Sequence, residues 1–571
     1  MKKTLITLLL VTQMCSASLL PSISFSSWGN WVSSTFHFVD NITHNFLENM
    51  RERQKIAVLS QVEWIVLQRS GTTSAGTQWN QYEFPAVRGA LPKDPATTMH
   101  FSLWFRPSDP TTAPTNDVTS IYTSTCAQLQ TKKGGIKSAC DYVGSGELMG
   151  YRLRIFEPNQ GSTTVPRNYV RPVLITQGFD PSYGTDEQFN FEQFEGALVN
   201  SDNQEKTIDK LLDDGHTVVL LLFEKPLDGI EKNAKVALRA MQWLQYNTSD
   251  DIAIVGPSMG GLVCRKALQI AGEQNRLANS TAKSGIYPKV FVAYDAPNWG
   301  AVIPVEIQAS VQYLRKQGDD VRQMDDNISS EAAQQMLLVF RNSRTGGVAK
   351  QEVKGYFTDA TTGAEMQTTS AKFLRELNSP VAQENLNWLS RKSTGNTPME
   401  TVAISEGSGN DPQSKTFEDI QWAWINNWDL YWRASTPNSW GFASILKINS
   451  ADAYEWEYKL KEPVFIDRLP GSNRTTYTDI WTKVKEKDKP EASEQMFTGG
   501  FDAHTFIPTV SALGLTGRDL NTRTGWYLSD NIKGSRSEAS LFDRTYLFGD
   551  GNGKHVDPNS STMSWLLAEV H

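Results

Sequence analysis

Residues 252–268, IAIVGPSMGGLVCRKAL, predict a strand, a tight turn and a helix in direct succession. Ile252–Val255 is a continuous apolar run, the pattern G-x-S-x-G occupies Gly256–Gly260, and helical spacing begins at Leu262. In a turn of this kind the serine backbone is strained, and small flanking residues avoid clashes with the neighbouring strand and helix. We therefore predict that the hydroxyl of Ser258 is lifted out of a sheet as a nucleophile. The alternative is a glycine-rich turn without chemistry.

The helix that follows Ser258 is the second part of this prediction. Its first amides have no intrahelical acceptor, and the helix dipole adds partial positive charge at the same end. Hydrogen-bond donors in this position stabilise a developing oxyanion. We expect the amide of Met259 to be one of these donors.

The first 17 residues have the pattern of a cleavable export signal. Lys2 and Lys3 form the positively charged end, Leu5–Met14 is apolar, and Cys15-Ser16-Ala17 is a small-residue cleavage site. About ten apolar residues are too few to span a bilayer, so we expect cleavage rather than anchoring. The expected location is secreted or periplasmic.

Composition narrows the class of protein further. The chain has 571 residues, enough for two or three domains, and a formal net charge of −8 without a basic stripe, which argues against nucleic-acid binding. In an oxidising compartment Cys126 and Cys140 could pair, whereas Cys264 is expected to be a buried free thiol. No cysteine and histidine residues have zinc-site spacing, and we expect neither a metal nor an organic cofactor.

Two patterns divide the mature chain. Residues 18–145 are interpreted as an accessory N-terminal region, with an amphipathic helix over Phe46–Arg69. The main domain is predicted over residues 146–571, with strand–helix alternation from Tyr151. Continuous Val, Ile and Leu runs separated by helices are typical of a mostly parallel sheet covered on both faces, so we predict an α/β fold. Predicted strands are Tyr151–Phe156 (antiparallel), Pro172–Thr176, Thr217–Leu222, Ile252–Val255, Lys289–Tyr294 and Glu400–Ser405, and predicted helices include Gly229–Gln245 and Met563–Val570.

Two insertions interrupt this alternation. Residues from about 301 to 391 have helical spacing at Val305–Leu314, Glu331–Phe340 and Ala371–Leu377, and we interpret them as a lid or cap over the site. The second insertion covers residues from about 412 to 498, and its residues 417–465 are rich in tryptophan and tyrosine. Two interpretations stay open for them: the core of a second insertion, or a surface that contacts lipid or polysaccharide.

From about Tyr151 to the C-terminus, interrupted by the two insertions, the chain resembles the α/β-hydrolase superfamily in its lipase and esterase branch. Four stretches carry the resemblance. They are Gln177-Gly178-Phe179, like an oxyanion loop; Gly256–Gly260, the elbow; Asp295–Gly300, like the lipase segment T-P-H-x-G with Asn298 where a histidine is common; and Phe506–Gly514, similar to D-G-x-V-P-x-x-S-A-x-L-G. The resemblance implies that an amide of Gly178 or Phe179 joins Met259 in holding the oxyanion.

A serine needs a base, and the resemblance implies the chain order Ser, acid, His. Three histidines lie far enough downstream: His504, His555 and the terminal His571. His555 is preferred because it lies in a glycine-rich loop between a predicted last strand and the final helix. His504 stays open as the alternative base, and a surface histidine without a role is the third interpretation.

Four carboxylates compete as the acid that orients the base. Asp295 directly follows a strand and is placed first, although it could instead cap the turn that follows it. Most members of the superfamily place the acid one strand later, at Glu406 or Asp411 here, and Asp502 is near the position that the bacterial lipases use.

The sequence therefore predicts a secreted serine hydrolase that cleaves carboxylic esters through a Ser-His-Asp triad and an acyl-enzyme. Its expected partner is a small-molecule or lipid ester, with peripheral contact to a lipid surface as an open question. An amidase or peptidase of the same fold, and a binding protein with an inactive hydrolase fold, are the alternatives.

Overall fold

The structure is a computed structural model. It describes residues 66–90, 148–158, 169–180, 183, 189–277, 284–303, 319–341, 353–355, 369–391, 397–409, 423–425, 428–435, 442–449, 455–465, 470–474, 504–518, 525, 527–528, 534–536, 538–548 and 553–571. No helix within these ranges is long and apolar enough to cross a membrane.

Strands and helices alternate through most of the described chain. In chain order the elements are β1 Val66–Thr72, β2 Gln78–Ala90, β3 Leu148–Pro158, β4 Val173–Thr176, α1 Phe191–Ala197, α2 Thr207–Asp213, β5 Val218–Phe223, α3 Ile230–Tyr246, β6 Ile252–Pro257, α4 Met259–Leu277, β7 Pro288–Tyr294, α5 Asp319–Ile328, α6 Glu331–Met336, β8 Val339–Arg341, β9 Val353–Gly355, α7 Thr369–Leu377, α8 Pro380–Leu386, β10 Glu400–Ser405, β11 Ala423–Ile425, β12 Trp428–Ser435, β13 Phe442–Asn449, β14 Glu455–Phe465, β15 Gly471–Arg474, β16 His504–Pro508, α9 Thr509–Ala512, β17 Gly534–Arg536, β18 Arg544–Leu547 and α10 Ser560–Val570.

One mixed sheet organises the fold. Its strand order is β1-β2-β3-β5-β4-β6-β7-β10-β18-β17. The neighbours from β5 to β18 all pair in parallel, whereas β1, β2 and β3 at one edge and β17 at the other pair antiparallel. The predicted α/β fold and the antiparallel start at β3 are confirmed. Because β6 lies near the middle of the parallel strands, the turn after it opens at the centre of their carboxyl edge.

The alternation of side chains along each strand builds two cores. In β6, Ile252 and Ile254 pack with α3 and α4, while Ala253 and Val255 pack on the opposite face with α1, α2 and α10. Each fully buried aliphatic side chain of this kind contributes about 1.5–3 kcal/mol. Helices cover both faces, as predicted, and this double cover fixes the register of the strands that carry the site.

Two predicted helices need correction. Residues 66–69 were expected at the end of a helix, but Val66–Thr72 is β1, paired antiparallel with β2. Glu331–Phe340 was expected to be one helix, but α6 ends at Met336 and Val339–Arg341 forms β8, paired with β9. In both places antiparallel pairing with the next strand along the chain outweighs local helical spacing.

The described part of the predicted accessory region, residues 66–90, belongs to the central sheet. Strand β2 pairs with β3 along its length, so β1 and β2 extend the central sheet. The boundary after residue 145 stays a prediction. The export signal, Cys126 and Cys140 lie outside the described residues.

The two predicted insertions differ in their described parts. Ala332 of α6, Leu374 of α7 and Leu386 of α8 belong to the same core as α3 and α4, so these helices thicken one face of the fold. Their role as a lid stays a prediction, and Val305–Leu314 lies outside the described residues. In the second insertion β11–β14 form an antiparallel sheet separate from the central one. The choice between core and lipid-contacting surface stays open.

Candidate active site

Ser258 occupies the turn between β6 and α4. Its φ is 54°, a left-handed backbone that is a genuine strain for a residue with a side chain. The Ser258 amide donates to the Tyr294 carbonyl at 2.9 Å, and the Gly261 amide donates to the Ser258 carbonyl at 3.0 Å. These two hydrogen bonds hold the strained turn, and the side chain is 8% exposed.

Small residues beside Ser258 are required by contact, as the sequence predicted. A methyl group on Gly256 would lie 2.6 Å from the Gly260 carbonyl oxygen, and one on Gly260 would lie 2.9 Å from the carbonyl oxygen of Gln177. Helix α4 therefore approaches the strands closely enough to present its first turn beside the serine.

Asp295 is placed by the end of the next parallel strand, β7. It also has a left-handed backbone, with φ 46°, and its side chain is 0% exposed. The Asp295 amide donates to the Ile404 carbonyl at 2.7 Å, and its Oδ1 accepts from the Glu406 amide at 3.3 Å. Contacts with the end of β10 thus fix both the backbone and the carboxylate.

His555 lies in the segment between β18 and α10. Its amide donates to the Asn473 carbonyl at 2.8 Å, and its ring packs edge-to-face on Phe506 with 4.7 Å between ring centroids. The backbone bond and the aromatic contact restrict the orientation of the imidazole.

These three side chains meet in one hydrogen-bonded row. His555 Nε2 lies 2.8 Å from Ser258 Oγ, and His555 Nδ1 lies 2.6 Å from Asp295 Oδ2. The partners assign the tautomer, because a buried carboxylate accepts and therefore Nδ1 carries the proton. Nε2 is then free to accept from the serine hydroxyl, which is the arrangement that activates an alcohol as a nucleophile.

The residues predicted to hold an oxyanion lie beside the serine. Met259 is the first residue of α4 and is fully buried. A methyl group on Gly178 would lie 3.2 Å from Ser258 Cβ and 3.7 Å from its Oγ, so the loop after β4 passes directly over the nucleophile. Phe179 is partly buried and packs against the core.

The alternative site residues lie elsewhere or outside the described chain. Glu406 is fully buried beside Asp295, but its carboxyl group contacts Tyr294 and Asn559. His504 begins β16 and pairs there with Arg474. Arg171 Nη2 contacts both the ring Nδ1 and the carbonyl of His571, each at 3.2 Å. Asp411 and Asp502 lie outside the described residues.

Sequence reasoning missed two contacts to His555. Ser472 Oγ lies 3.4 Å from His555 Nδ1, and Asn473 accepts the His555 amide. Nothing in the local pattern of β15 predicts this placement. Phe506 also packs on the His555 ring. The signal for it in the sequence was its place in the stretch that resembles bacterial lipases.

Two of the stretches that carry the family resemblance, Asp295–Gly300 and Phe506–Gly514, are hydrogen bonded to each other. Asn298 Nδ2 donates to the Ala512 carbonyl at 3.0 Å, and Ser511 Oγ donates to the Gly300 carbonyl at 2.7 Å. Arg265 is buried beside Asn298 and donates to Asn378 Oδ1 at 2.7 Å. Burial lowers the pKa of the Arg265 guanidinium to about 9. Position 298, where the lipase segment commonly has a histidine, is therefore an asparagine whose side-chain amide is hydrogen bonded.

Cys264 follows Ser258 by six residues on α4 and is a buried free thiol, as predicted. Its Sγ lies 3.4 Å from Thr176 Oγ1, and burial raises the pKa of the thiol to about 12. A thiol in this state is not a nucleophile at neutral pH. In the described part of the chain, no group of three or more His, Cys, Asp or Glu side chains is arranged to hold a metal ion.

No protein-family model and no curated protein matches this chain. Among solved structures, the rice cell wall degrading esterase LipA of Xanthomonas oryzae aligns over 61% of this chain and 84% of its own, with 10% identity and a TM-score of 0.27. Lipase BlEst2 of Bacillus licheniformis in mature form aligns over 43% and 69%, with 10% identity and a TM-score of 0.22. Lipase B of Aspergillus fumigatus aligns over 41% and 37%, with 14% identity and a TM-score of 0.19, so this chain spans well under two thirds of that lipase. Likenesses at this level do not transfer a function, which has to be argued from the geometry.

Proposed function

We propose that this protein is a serine hydrolase of the α/β-hydrolase type that cleaves carboxylic esters through Ser258, His555 and Asp295. One observation carries the proposal: the two hydrogen bonds of 2.8 and 2.6 Å that link serine, imidazole and buried carboxylate in a row. The elbow at the centre of a parallel sheet and the order Ser, Asp, His along the chain support it.

The first half of the reaction forms an acyl-enzyme. Ser258 Oγ attacks the ester carbonyl carbon while His555 Nε2 takes the hydroxyl proton, and Asp295 stabilises the imidazolium that results. The amides of Met259 and of Gly178 or Phe179 donate to the oxyanion, each worth about 3 kcal/mol in the transition state. His555 then returns its proton to the departing alkoxide as the carbon–oxygen bond breaks.

The second half releases the acid. Water loses a proton to His555 Nε2 and attacks the acyl carbonyl, the same donors hold the oxyanion, and Ser258 leaves with the proton returned. None of these steps involves a metal or an organic cofactor.

An amidase or peptidase of the same fold is the closest alternative, because the same three residues can cleave amides. The ester is favoured by the export signal predicted over residues 1–17 and by the apolar helices of the first insertion. We extend the proposal to a secreted or periplasmic location and a small-molecule or lipid ester. N-terminal sequencing of the mature protein from culture medium or periplasm tests the location.

The decisive experiment combines turnover with covalent labelling. Wild-type protein is expected to hydrolyse p-nitrophenyl esters and to take up one fluorophosphonate group on Ser258. S258A is expected to lose both, with kcat reduced by about 10⁴-fold or more. S564A, which removes an exposed serine hydroxyl from α10, is the matched control and should retain both.

Two outcomes would decide against the ester hydrolase. Equal or faster turnover of matched p-nitroanilides would favour the amidase or peptidase. A folded wild-type protein that takes up no fluorophosphonate would favour an inactive hydrolase fold that binds a ligand.

A further inference from the structure

A second carboxyl group is buried at the same edge of the sheet, outside the triad. Glu406 directly follows β10, and its side chain is 0% exposed. Its Oε1 shares a hydrogen bond with the Tyr294 hydroxyl, and its Oε2 accepts from Asn559 Nδ2 at 2.9 Å. Within the described residues no lysine or arginine forms an ion pair with it. An ionised carboxylate in this place would be a buried charge without a cation.

The hydrogen bonds around Glu406 fit a neutral carboxylic acid. The Tyr294 hydroxyl has a single proton and two hydrogen-bond partners, Glu406 Oε1 and, at 3.2 Å, Thr562 Oγ1, so it donates to only one of them at a time. The Thr562 hydroxyl donates to the Asn559 carbonyl at 3.3 Å and can therefore accept from Tyr294. When Tyr294 donates to Thr562, the proton in its contact with Glu406 has to come from Glu406. A neutral carboxyl group supplies that proton and still accepts from Asn559 at its other oxygen.

The charges that face Glu406 favour the same state. Desolvation is the largest effect and raises the pKa of Glu406 well above its ordinary value; the negative charges of Asp557 and Asp202 also raise it, whereas the hydrogen bonds to Thr562 and Asn559 lower it. The buried carboxylate of Asp295 is also close, since it accepts the Glu406 amide. These three acids, all in the described part of the chain, thus oppose a further negative charge on Glu406.

Glu406 connects the elements that carry the triad. Its amide donates to Asp295 Oδ1 at 3.3 Å, and its carbonyl accepts from the Gly553 amide at 2.8 Å. Its side chain accepts from Asn559. His555 lies between Gly553 and Asn559, so both ends of its segment are tied to one residue at the end of β10.

We propose that Glu406 is a positioning residue for the triad: as a neutral acid it ties the strand end that carries Asp295 to the segment that carries His555, and loss of its proton loosens that segment and sets the alkaline limit of activity. The inference rests on the proposed function for its kinetic part. Its structural part, a protonated glutamic acid at neutral pH, does not depend on turnover.

The kinetic test compares a conservative and a disruptive substitution. E406Q keeps a donor toward Tyr294 and an acceptor toward Asn559, so its kcat at pH 7 should stay within about threefold of wild type. E406L keeps the volume without hydrogen bonds and should lower kcat by about 10²-fold with a small change in KM. Wild-type kcat/KM should fall at alkaline pH, and in E406Q this fall should be absent.

A spectroscopic test reads the proton directly. The infrared carbonyl stretch of a protonated carboxyl group should be present in wild type and in S258A at pH 7, absent in E406Q, and lost in wild type over the pH range in which activity falls. E569Q is the matched control: Glu569 is also buried and accepts from a tyrosine, Tyr546, but Arg544 Nη2 lies 2.6 Å from its carboxylate. E569Q should leave the band unchanged.

An alkaline fall that persists in E406Q, or a wild type that shows no such band at neutral pH, would overturn the proposal. The two proposals fail separately. Turnover that survives in S258A would remove the hydrolase mechanism while the band still reports on Glu406. A missing band with S258A inactive would remove only the role of Glu406.

Discussion

Asp295 and Glu406 end neighbouring parallel strands at one edge of the sheet, and both side chains are fully buried. Asp295 Oδ2 lies 2.6 Å from an imidazole nitrogen of His555, whereas the carboxyl group of Glu406 meets the neutral groups of Tyr294 and Asn559. Two acids with nearly the same burial therefore have different tasks. What each carboxyl group faces decides its task, and depth in the fold does not.

The backbone explains the difference in direction. Asp295 adopts φ 46°, a left-handed conformation that aspartate tolerates better than most residues, and this turns its side chain back toward His555. The Ile404 carbonyl accepts from the Asp295 amide, and the Glu406 amide donates to Asp295 Oδ1, so the end of β10 supports the acid of the proposed triad without supplying it.

The largest effect on kcat is expected when the carboxylate of Asp295 is replaced by an amide. D295N keeps the shape of the side chain, but its oxygen would accept from the Glu406 amide and its NH2 group would face His555 Nδ1 as a donor. That contact selects the wrong imidazole tautomer and leaves the imidazolium without a carboxylate, so kcat should fall by about 10⁴-fold. Steady-state ester hydrolysis at pH 7 measures it. E406Q makes the same carboxylate-to-amide change one strand away, and its kcat should fall by no more than about threefold. Similar losses in the two variants would mean that the acid has been assigned to the wrong strand end.

A smaller loss of kcat is expected when the hydrogen bond between the Gly553 amide and the Glu406 carbonyl is disturbed. A methyl group on Gly553 would lie 2.7 Å from the Glu406 carbonyl oxygen, so G553A should push the segment away by several tenths of an ångström or more. A displacement of this size at a general base lowers kcat by about 10²-fold. Gly196 in α1 has open space around it, and G196A is the control that should retain activity. Fluorophosphonate labelling rates should follow kcat, and an unchanged rate in G553A would show that the segment does not depend on this contact.

The sequence predicted the part of this edge that local patterns define. The elbow at Ser258 needs an apolar run, two glycines and a helix, all within 17 consecutive residues, and each parallel strand that leads to the site is a continuous apolar run. The choice between Asp295 and Glu406 was open because both follow such a strand. The side-chain directions depend on Tyr294, Asn559 and one left-handed backbone angle, none of which has a local signature.

Pairing with other segments explains the remaining differences. Asn473 accepts the His555 amide from 82 positions earlier in the chain, and its strand has no motif. Val66–Thr72 has helical spacing up to Arg69 yet pairs as a strand with β2, the next strand along the chain. In both cases a backbone partner outside the segment decides the conformation, and the residue pattern of the segment alone does not contain that partner.

A third way to sharpen the comparison is the pH dependence of stability. The native state keeps the Glu406 proton to a higher pH than the unfolded chain, whose glutamates titrate near their ordinary 4.5. Wild type should therefore lose stability relative to E406Q as pH rises above about 4.5, by up to about 1.4 kcal/mol per pH unit, until the native pKa is passed. Urea unfolding at several pH values measures the difference. E384Q, which removes an exposed glutamate from α8, controls for the loss of one charge, and a constant difference between wild type and E406Q would mean that Glu406 is ionised in the fold.

The smallest effect is expected at Asn559, which caps α10 and also donates to Glu406. Its side chain accepts from the amides of Ser561 and Thr562, and serine can retain that cap, whereas the Nδ2 donor to Glu406 is lost. N559S should therefore cost about 1 kcal/mol more than N190S, which makes the same change at the exposed N-cap of α1.

The pH dependence of this cost tests the protonation of Glu406 a second time. Loss of the Glu406 proton is proposed to loosen the segment that contains Asn559, so the hydrogen bond from Asn559 Nδ2 should then contribute less. The difference between N559S and N190S should thus be constant through neutral pH and shrink only where wild-type activity falls. A difference that has already shrunk at pH 6 would show that the carboxylate carries its charge there, and the contrast between Asp295 and Glu406 would then be one of direction alone.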